Sequence, residues 1–125
     1  ATISLLIGGI GIANTMYTSV LERTKEIGIL KAIGAKNSHI MILFVIEAGL
    51  FGLVGGIAGA IFGLSLSYLV STSANNYFGQ NILAFSISWD LLIGAIIFSS
   101  GIGIIAGIIP SYQASKMKPV DALRS

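Results

Sequence analysis

Side chains able to do chemistry are few in this chain: one histidine, five carboxylates, seven basic groups and no cysteine. Without cysteine there is neither a disulfide framework nor a thiolate metal site, and a lone imidazole, His39, builds no metal cluster and has no partner for a proton relay. The glycine-rich runs hold no phosphate cradle. Gly28-Ile-Leu-Lys-Ala-Ile-Gly-Ala-Lys36 has the wrong spacing for a P-loop, and Lys36 is followed by Asn37 where Ser or Thr is required. Gly9-Ile-Gly11 lacks the third glycine and the preceding strand of a dinucleotide fingerprint. No nucleophile is paired with a base, so neither an enzyme activity nor a cofactor is expected. Two features remain: the charged run Glu22 to Lys36, and Glu47, the one charge well inside an apolar stretch.

The placement of charge says what surrounds these features. All seven basic residues fall between Arg23 and Lys36 or between Lys116 and Arg124. Between the patches the chain is apolar and studded with glycine. With 10% charged residues and a mean hydropathy of +0.92, the chain cannot coat a water-soluble particle, because such a domain needs about a quarter of its surface charged. Lipid is therefore the expected solvent. Nucleic acid is excluded as a partner, because the basic groups gather at two membrane edges and do not spread along a polar face. No initiator methionine and no basic n-region precede the apolar opening, so Ala1 to Leu21 does not read as a signal peptide, and the chain reads as cut from a longer one.

The expected fold is all-α, with three transmembrane helices and a short cytoplasmic helix between the first two. Spans are expected over residues 1–21, 40–68 and 89–109; at 1.5 Å per residue the first and third are about 31 Å, close to a hydrocarbon core of ~30 Å. The second exceeds the core by about 13 Å, so it tilts or projects into the cytoplasm. Pro110 is expected to end or kink the third span. Loop 22–39 carries Arg23, Lys25, Lys31 and Lys36, the tail 111–125 carries Lys116, Lys118 and Arg124, and the connection 71–88 carries no basic residue. Short basic loops stay inside, so loop 22–39 and the C-terminus are expected to be cytoplasmic, in a multi-pass protein of the plasma (inner) membrane. Ala1 and loop 71–88 then lie outside, where Tyr77, Phe78, Phe85 and Trp89 suit an interfacial aromatic belt, and Asp90 favours a helix start.

Two small-residue stripes predict close helix packing: Gly52, Gly56, Gly59 and Gly63 on one helix, and Ala95, Ser99, Gly103 and Gly107 on another. Gly59→Leu is expected to disrupt that packing. The run Glu22 to Ala35 suits either an amphipathic segment at the lipid surface or a docking helix for a cytoplasmic partner. In one continuous helix Glu26 would fall on the apolar arc, so a break near Gly28 is expected, leaving a short helix Ile29 to Ile33 before Gly34. Glu47 lies about 10 Å past Ile40, within the surplus of the second span. It reads as a hydrated interfacial carboxylate or as a bridge from that span to the charged loop.

ERTKEIGILKAIGA, Glu22 to Ala35, resembles the E-R-x-x-E-I-G-x-x-x-A-x-G-A signature of the FtsX-like permease family, the MacB-type membrane subunits of ABC transporters. Phe44 to Gly63 is similar to that family's next span. Pro110 to Arg124 is similar to its closing motif P-x-x-x-A-x-x-x-x-P-x-x-A-L-R, matching at Pro110, Ala114, Pro119, Ala122, Leu123 and Arg124. The tail departs from the family at Tyr112 and Gln113, where members often carry arginines, so phosphate contacts are not expected at those two positions. The resemblance implies the C-terminal three-span portion of a permease, with a further span and a large outer domain before it.

It also implies a separate ATP-binding cassette ATPase that pushes on loop 22–35, with Glu22, Arg23, Glu26, Ile27, Gly28, Ile29, Leu30, Ile33 and Gly34 as coupling residues and Glu47 as a possible coupling carboxylate. Motion would pass to the outer domain for export, drug efflux or lipoprotein release, in a complex of two permease copies. Two other readings stay open: a secondary transporter or channel with glycine-lined helices, and a passive membrane scaffold. A solute path usually carries polar or charged groups at midplane, and here the deep segments hold glycine, serine and apolar residues.

Overall fold

The computed structural model describes residues 2–79 and 84–124. Ala1, residues 80–83 and Ser125 lie outside them, and with them the first residue of the expected first span, the middle of the expected outer connection and the last residue of the tail. The elements are α1 (Thr2–Glu22), α2 (Thr24–Ala32), α3 (Asn37–Phe78), α4 (Trp89–Ser115) and α5 (Pro119–Arg124), with no strand among the described residues. By length and composition, α1, α3 and α4 can each cross a membrane. The all-α, three-span architecture stands.

Burial is inverted relative to a water-soluble bundle. Along the middle of the helices Leu6, Ile7, Ile10, Val54, Phe62, Ile97 and Phe98 face outward, while Gly52, Gly103 and Gly107 are buried. This is the arrangement lipid permits, because apolar side chains gain nothing by leaving hydrocarbon and backbones gain from close approach. Three hydroxyls on α1 and α3 are satisfied within their own helix: Thr15 and Thr18 donate to the carbonyls of Gly11 and Asn14, and Ser65 to that of Ile61.

α3 and α4 run antiparallel and meet on small residues. A Cβ on Gly52 would run into the Ser99 carbonyl, one on Gly56 would sit 3.0 Å from Ser99 Cβ, and one on Gly103 would lie 2.5 Å from the Ala48 carbonyl oxygen. At Gly107 it would overlap the Ala48 side chain. Close approach lets Ser99 Oγ donate to Gly52 O at 2.7 Å and Ser100 Oγ to Gly49 O at 3.3 Å, bonds that loosely packed helices could not reach. Gly59 and Gly63 do not take part. They lie on the same face, but nothing comes within 4 Å of a Cβ at either, because the two helices diverge beyond Gly56. The glycine stripe of α3 is thus half as long as expected, Ala48 extends it inward, and the expected Gly59→Leu defect does not apply within this chain.

Three boundaries also differ from expectation. α3 continues ten residues past Tyr68 to Phe78, about 63 Å in all, and stops at Gly79, whose φ of +63° and N–H to Asn75 O form a left-handed cap. Hydropathy falls after Val70, but no backbone breaker occurs between there and Gly79, so much of the surplus length lies at the end of α3 away from the basic patches. α4 runs through Pro110 to Ser115. Pro110 is buried within the helix, and one residue on Ser111 Oγ donates to Gly107 O at 2.5 Å. Finally, α2 passes unbroken through Gly28, and the chain bends instead at Arg23, between α1 and α2.

The apolar core gathers at the end that carries the lysines and arginines. Met16 and Val20 of α1, Ile27 of α2, Ile40, Phe44 and Ala48 of α3 and Ala114 of α4 form one buried cluster. Most of the buried apolar side chains of the described residues thus pack at this basic end, and α2 and α5 are mounted on it.

Candidate functional site

The bend at Arg23 costs little hydrogen bonding. Its N–H still bonds Ser19 O at 3.0 Å, its carbonyl already accepts from Ile27 N, and Thr24 Oγ1 donates back to Leu21 O at 2.8 Å. α2 therefore leaves α1 at a fixed angle. Along α2, Ile27 and Gly28 are buried, Thr24 and Lys31 partly so, and these four fall on one arc of the helix. The opposite arc carries Glu26, Ile29, Leu30 and Ile33, all exposed, with Ile29 at 54% and Ile33 at 77%. Here lies the reason no break occurs at Gly28. Glu26 does share a face with the apolar residues, as the sequence implied, but it stays exposed at the edge of a groove against Ile40, Leu43 and Phe44 of α3, so its carboxylate remains solvated.

Gly28 has another use. A Cβ there would lie 2.8 Å from Ala122 Cβ, with Leu123 Cγ at 3.5 Å and Pro119 O at 3.6 Å, so its missing side chain is what lets α5 lie against α2. Pro119 opens α5 where an N–H would be unbonded in any case. The outer surface of α5 presents Val120 and Leu123, both more than half exposed, and Arg124. The chain leaves α2 by a left-handed Gly34, φ +103°, while Ala35 N bonds Leu30 O at 2.9 Å; a β-carbon at Gly34 would be strained.

A lysine fastens this two-helix platform to the spans. Lys31 Nζ donates to Met117 O at 2.6 Å and to Ser115 O, carbonyls at the C-terminal end of α4 that have no helical partner and carry the negative end of its dipole. Burial lowers the pKa of Lys31 from the ordinary lysine value. Beneath the clamp Pro110, Ser111, Ala114 and Ser115 are buried in α4. Charged-group hydrogen bonds contribute about 1.5–3 kcal/mol each, so Lys31→Met should release α5 and the end of α4 while leaving α3 and its contact with α4 intact. Amide hydrogen exchange would read this as faster exchange over residues 116–124 with protection unchanged at 96–107.

Glu47 links the third element to the bend. Its carboxylate lies 3.5 Å from Arg23 Nη1 and 3.5 Å from Ser19 Oγ. The Arg23 and Glu47 side chains are 48% and 23% exposed, so this long contact contributes under about 1 kcal/mol and sets the register of α3 against α1 more than it stabilises the fold. Glu47 stands level with the last turn of α1 and not at the middle of the spans. Of the residues singled out in the sequence, Ile27, Gly28, Pro110 and Pro119 serve to mount the platform, and Glu26, Ile29, Leu30, Ile33, Leu123 and Arg124 lie on its outer surface. Glu22, also exposed, lines the cleft behind it. Sequence reasoning did not assign Lys31, Thr24, Ser19 or the pairing of Gly28 with Ala122. The one signal was a glycine and an alanine fixed in two separate motifs.

Residues 1–119 match the model of the FtsX-like permease C-terminal family. The chain belongs to that family. It is 44% identical over 124 residues to the ABC transporter permease MJ1507 of Methanocaldococcus jannaschii, a match covering 99% of this chain and 31% of that protein. To the ABC transporter permease YknZ of Bacillus subtilis it is likewise 44% identical, over 99% of this chain and 30% of the relative. The macrolide export ATP-binding/permease protein MacB of Neisseria meningitidis is 46% identical over 126 residues, 98% of this chain and 18% of its own length. The chain thus spans less than a third of these relatives. Within the FtsX-like permeases, the motifs at Glu22 to Ala35 and Pro110 to Arg124 that carried the resemblance now have a spatial relation: they fold against each other as α2 and α5.

Proposed function

We propose that this chain is the membrane-spanning, force-transmitting part of an ABC exporter, and that the α2–α5 platform docks a cytoplasmic ATP-binding cassette ATPase. The observation that carries this reading is the exposed apolar face of Ile29, Leu30, Ile33, Val120 and Leu123 on α2 and α5, two helices joined by the Gly28–Ala122 contact and tied to α4 by the Lys31 clamp. Exposed apolar groups clustered on helices other than the three candidate spans favour a protein partner. In this reading the platform and tail are cytoplasmic, as the clustering of Lys and Arg at that end supports. ATP-driven closure would press α2, pass through Lys31 into α4 and through Arg23 and Glu47 into α1 and α3, and move an outer domain that does the exporting. Two permease copies would share one ATPase pair. The chain itself performs no hydrolysis.

The groove between α1, α3 and α4 argues against a solute path. It measures about 470 Å³ and is lined by Gly8, Ile12, Phe51, Gly52, Phe98 and Ser99 among others, with no charged side chain. Co-purification of the whole permease with the ATPase, and hydrolysis measured with and without it in lipid vesicles, tests the proposal. Stable association and a raised turnover are expected; an ATPase that neither binds nor responds would overturn it.

A further inference from the structure

A cleft of about 1010 Å³ opens on the flank of the platform, between the α1–α2 bend and the end of α4. Its wall brings together three lysines, Lys25 of α2 and Lys116 and Lys118 of the link between α4 and α5. Two acids, Glu22 and Asp121, share the lining, and Asp121 is already partnered within the protein. The floor is apolar, with Leu21, Met117 and Ala122. Lys116 Nζ is held 4.5 Å from the centroid of the Tyr112 ring, a cation–π contact that fixes the ammonium at the mouth.

A second observation indicates the shape of the ligand. Ile105, Ile109, Tyr112 and Lys116 follow one another at intervals of four, three and four, and so form a single stripe along α4. All four are exposed, Ile105 at 64% and Ile109 at 71%. The stripe is apolar along the span, aromatic at its end and cationic where it enters the cleft. Polarity changes in that order along a phospholipid, from acyl chain through glycerol to phosphate. Lys25 stands one turn before Ile29 on α2, so the cleft borders the apolar face of Ile29 and Ile33.

From the cleft and the stripe together we infer that this is a binding site for an anionic phospholipid, its phosphate held by Lys25, Lys116 and Lys118 and an acyl chain laid along Ile105 and Ile109. The inference requires only that the basic end lie at a membrane surface, and it stands apart from the ATPase reading. An anionic lipid here would brace the α1–α2 bend against the end of α4, the same two elements that the Lys31 clamp serves.

Native mass spectrometry of the whole permease, delipidated in detergent and titrated with phosphatidylglycerol or phosphatidylcholine, tests it. Phosphatidylglycerol should bind at least about tenfold more tightly than phosphatidylcholine, and the combined substitutions Lys25→Gln, Lys116→Gln and Lys118→Gln should remove that preference, given the strength of each lysine at an anionic surface. Lys36→Gln, outside the cleft, should change it by less than about twofold, and Ile109→Ser should weaken phosphatidylglycerol binding with the lysines intact. An unchanged thermal transition checks that the triple variant is folded, and the three single variants should show graded losses if it is not. Equal binding of both lipids, retention of the preference in the triple variant, or full displacement of lipid by millimolar inorganic phosphate would each overturn the assignment, the last by making the site one for free phosphate.

Discussion

Gly103→Leu is expected to be the most destabilising single substitution in this chain. The new side chain would point at backbone atoms: Ala48 O lies 2.5 Å from its Cβ position, and Gly52 Cα and N lie at 3.0 Å. A flexible neighbour could rotate away, but a helix backbone cannot, so α3 and α4 must separate. Overpacking of a close-packed contact costs about 1–3 kcal/mol, and separation also breaks Ser99–Gly52 and Ser100–Gly49, bonds that contribute roughly 0.6 kcal/mol each between membrane helices. Thermal unfolding in detergent should show a fall of several degrees. Gly59→Leu is the internal comparison. With nothing within 4 Å of its Cβ position, it should leave the transition in place, although the sequence stripe treats the two glycines alike. Equal loss from both would mean that α3 and α4 stay close along their whole length.

Ile29→Asp is expected to abolish ATPase stimulation without loosening the fold. Ile29 is 54% exposed and makes no contribution to the buried cluster, so its replacement should change stability by no more than about 0.5 kcal/mol. In a complex the same position would be desolvated. Loss of a central apolar anchor costs about 2 kcal/mol or more, some 30-fold in affinity, and an unpaired carboxylate beside Glu26 adds a further penalty. Hydrolysis by the ATPase should drop to its permease-free rate, while the variant retains the wild-type melting temperature. Preserved stimulation would show that the apolar face of α2 is not where force enters.

Much of this arrangement was legible from the residues. Hydropathy and the two basic patches marked three helices, and the motifs at Glu22 and Pro110 marked the family, because lipid solvation and backbone chemistry act on composition and local order. Errors arose where a local rule met a tertiary neighbour. Glycine at position 28 read as a helix breaker, yet it is the contact that admits Ala122. Pro110 read as an end or a kink of the third span, yet the helix runs five residues past it to Ser115. Gly59 and Gly63 matched Gly52 and Gly56 in spacing, but spacing does not say how far two helices remain together. The end of α3 was missed because hydropathy marks where lipid stops and not where a helix does; Gly79 marks the latter. Lys31 could not be assigned at all, since its acceptors are backbone carbonyls 84 and 86 residues away.

The central claim is that the outer face of α2 meets an ATPase. A benzoylphenylalanine photocrosslinker placed at position 29 of the whole permease, with one at position 77 on the far end of α3 as control, tests it in native membranes. An ATPase adduct is expected from position 29 and none from position 77. Adducts from position 29 only to lipid, or an ATPase adduct from position 77 instead, would contradict it.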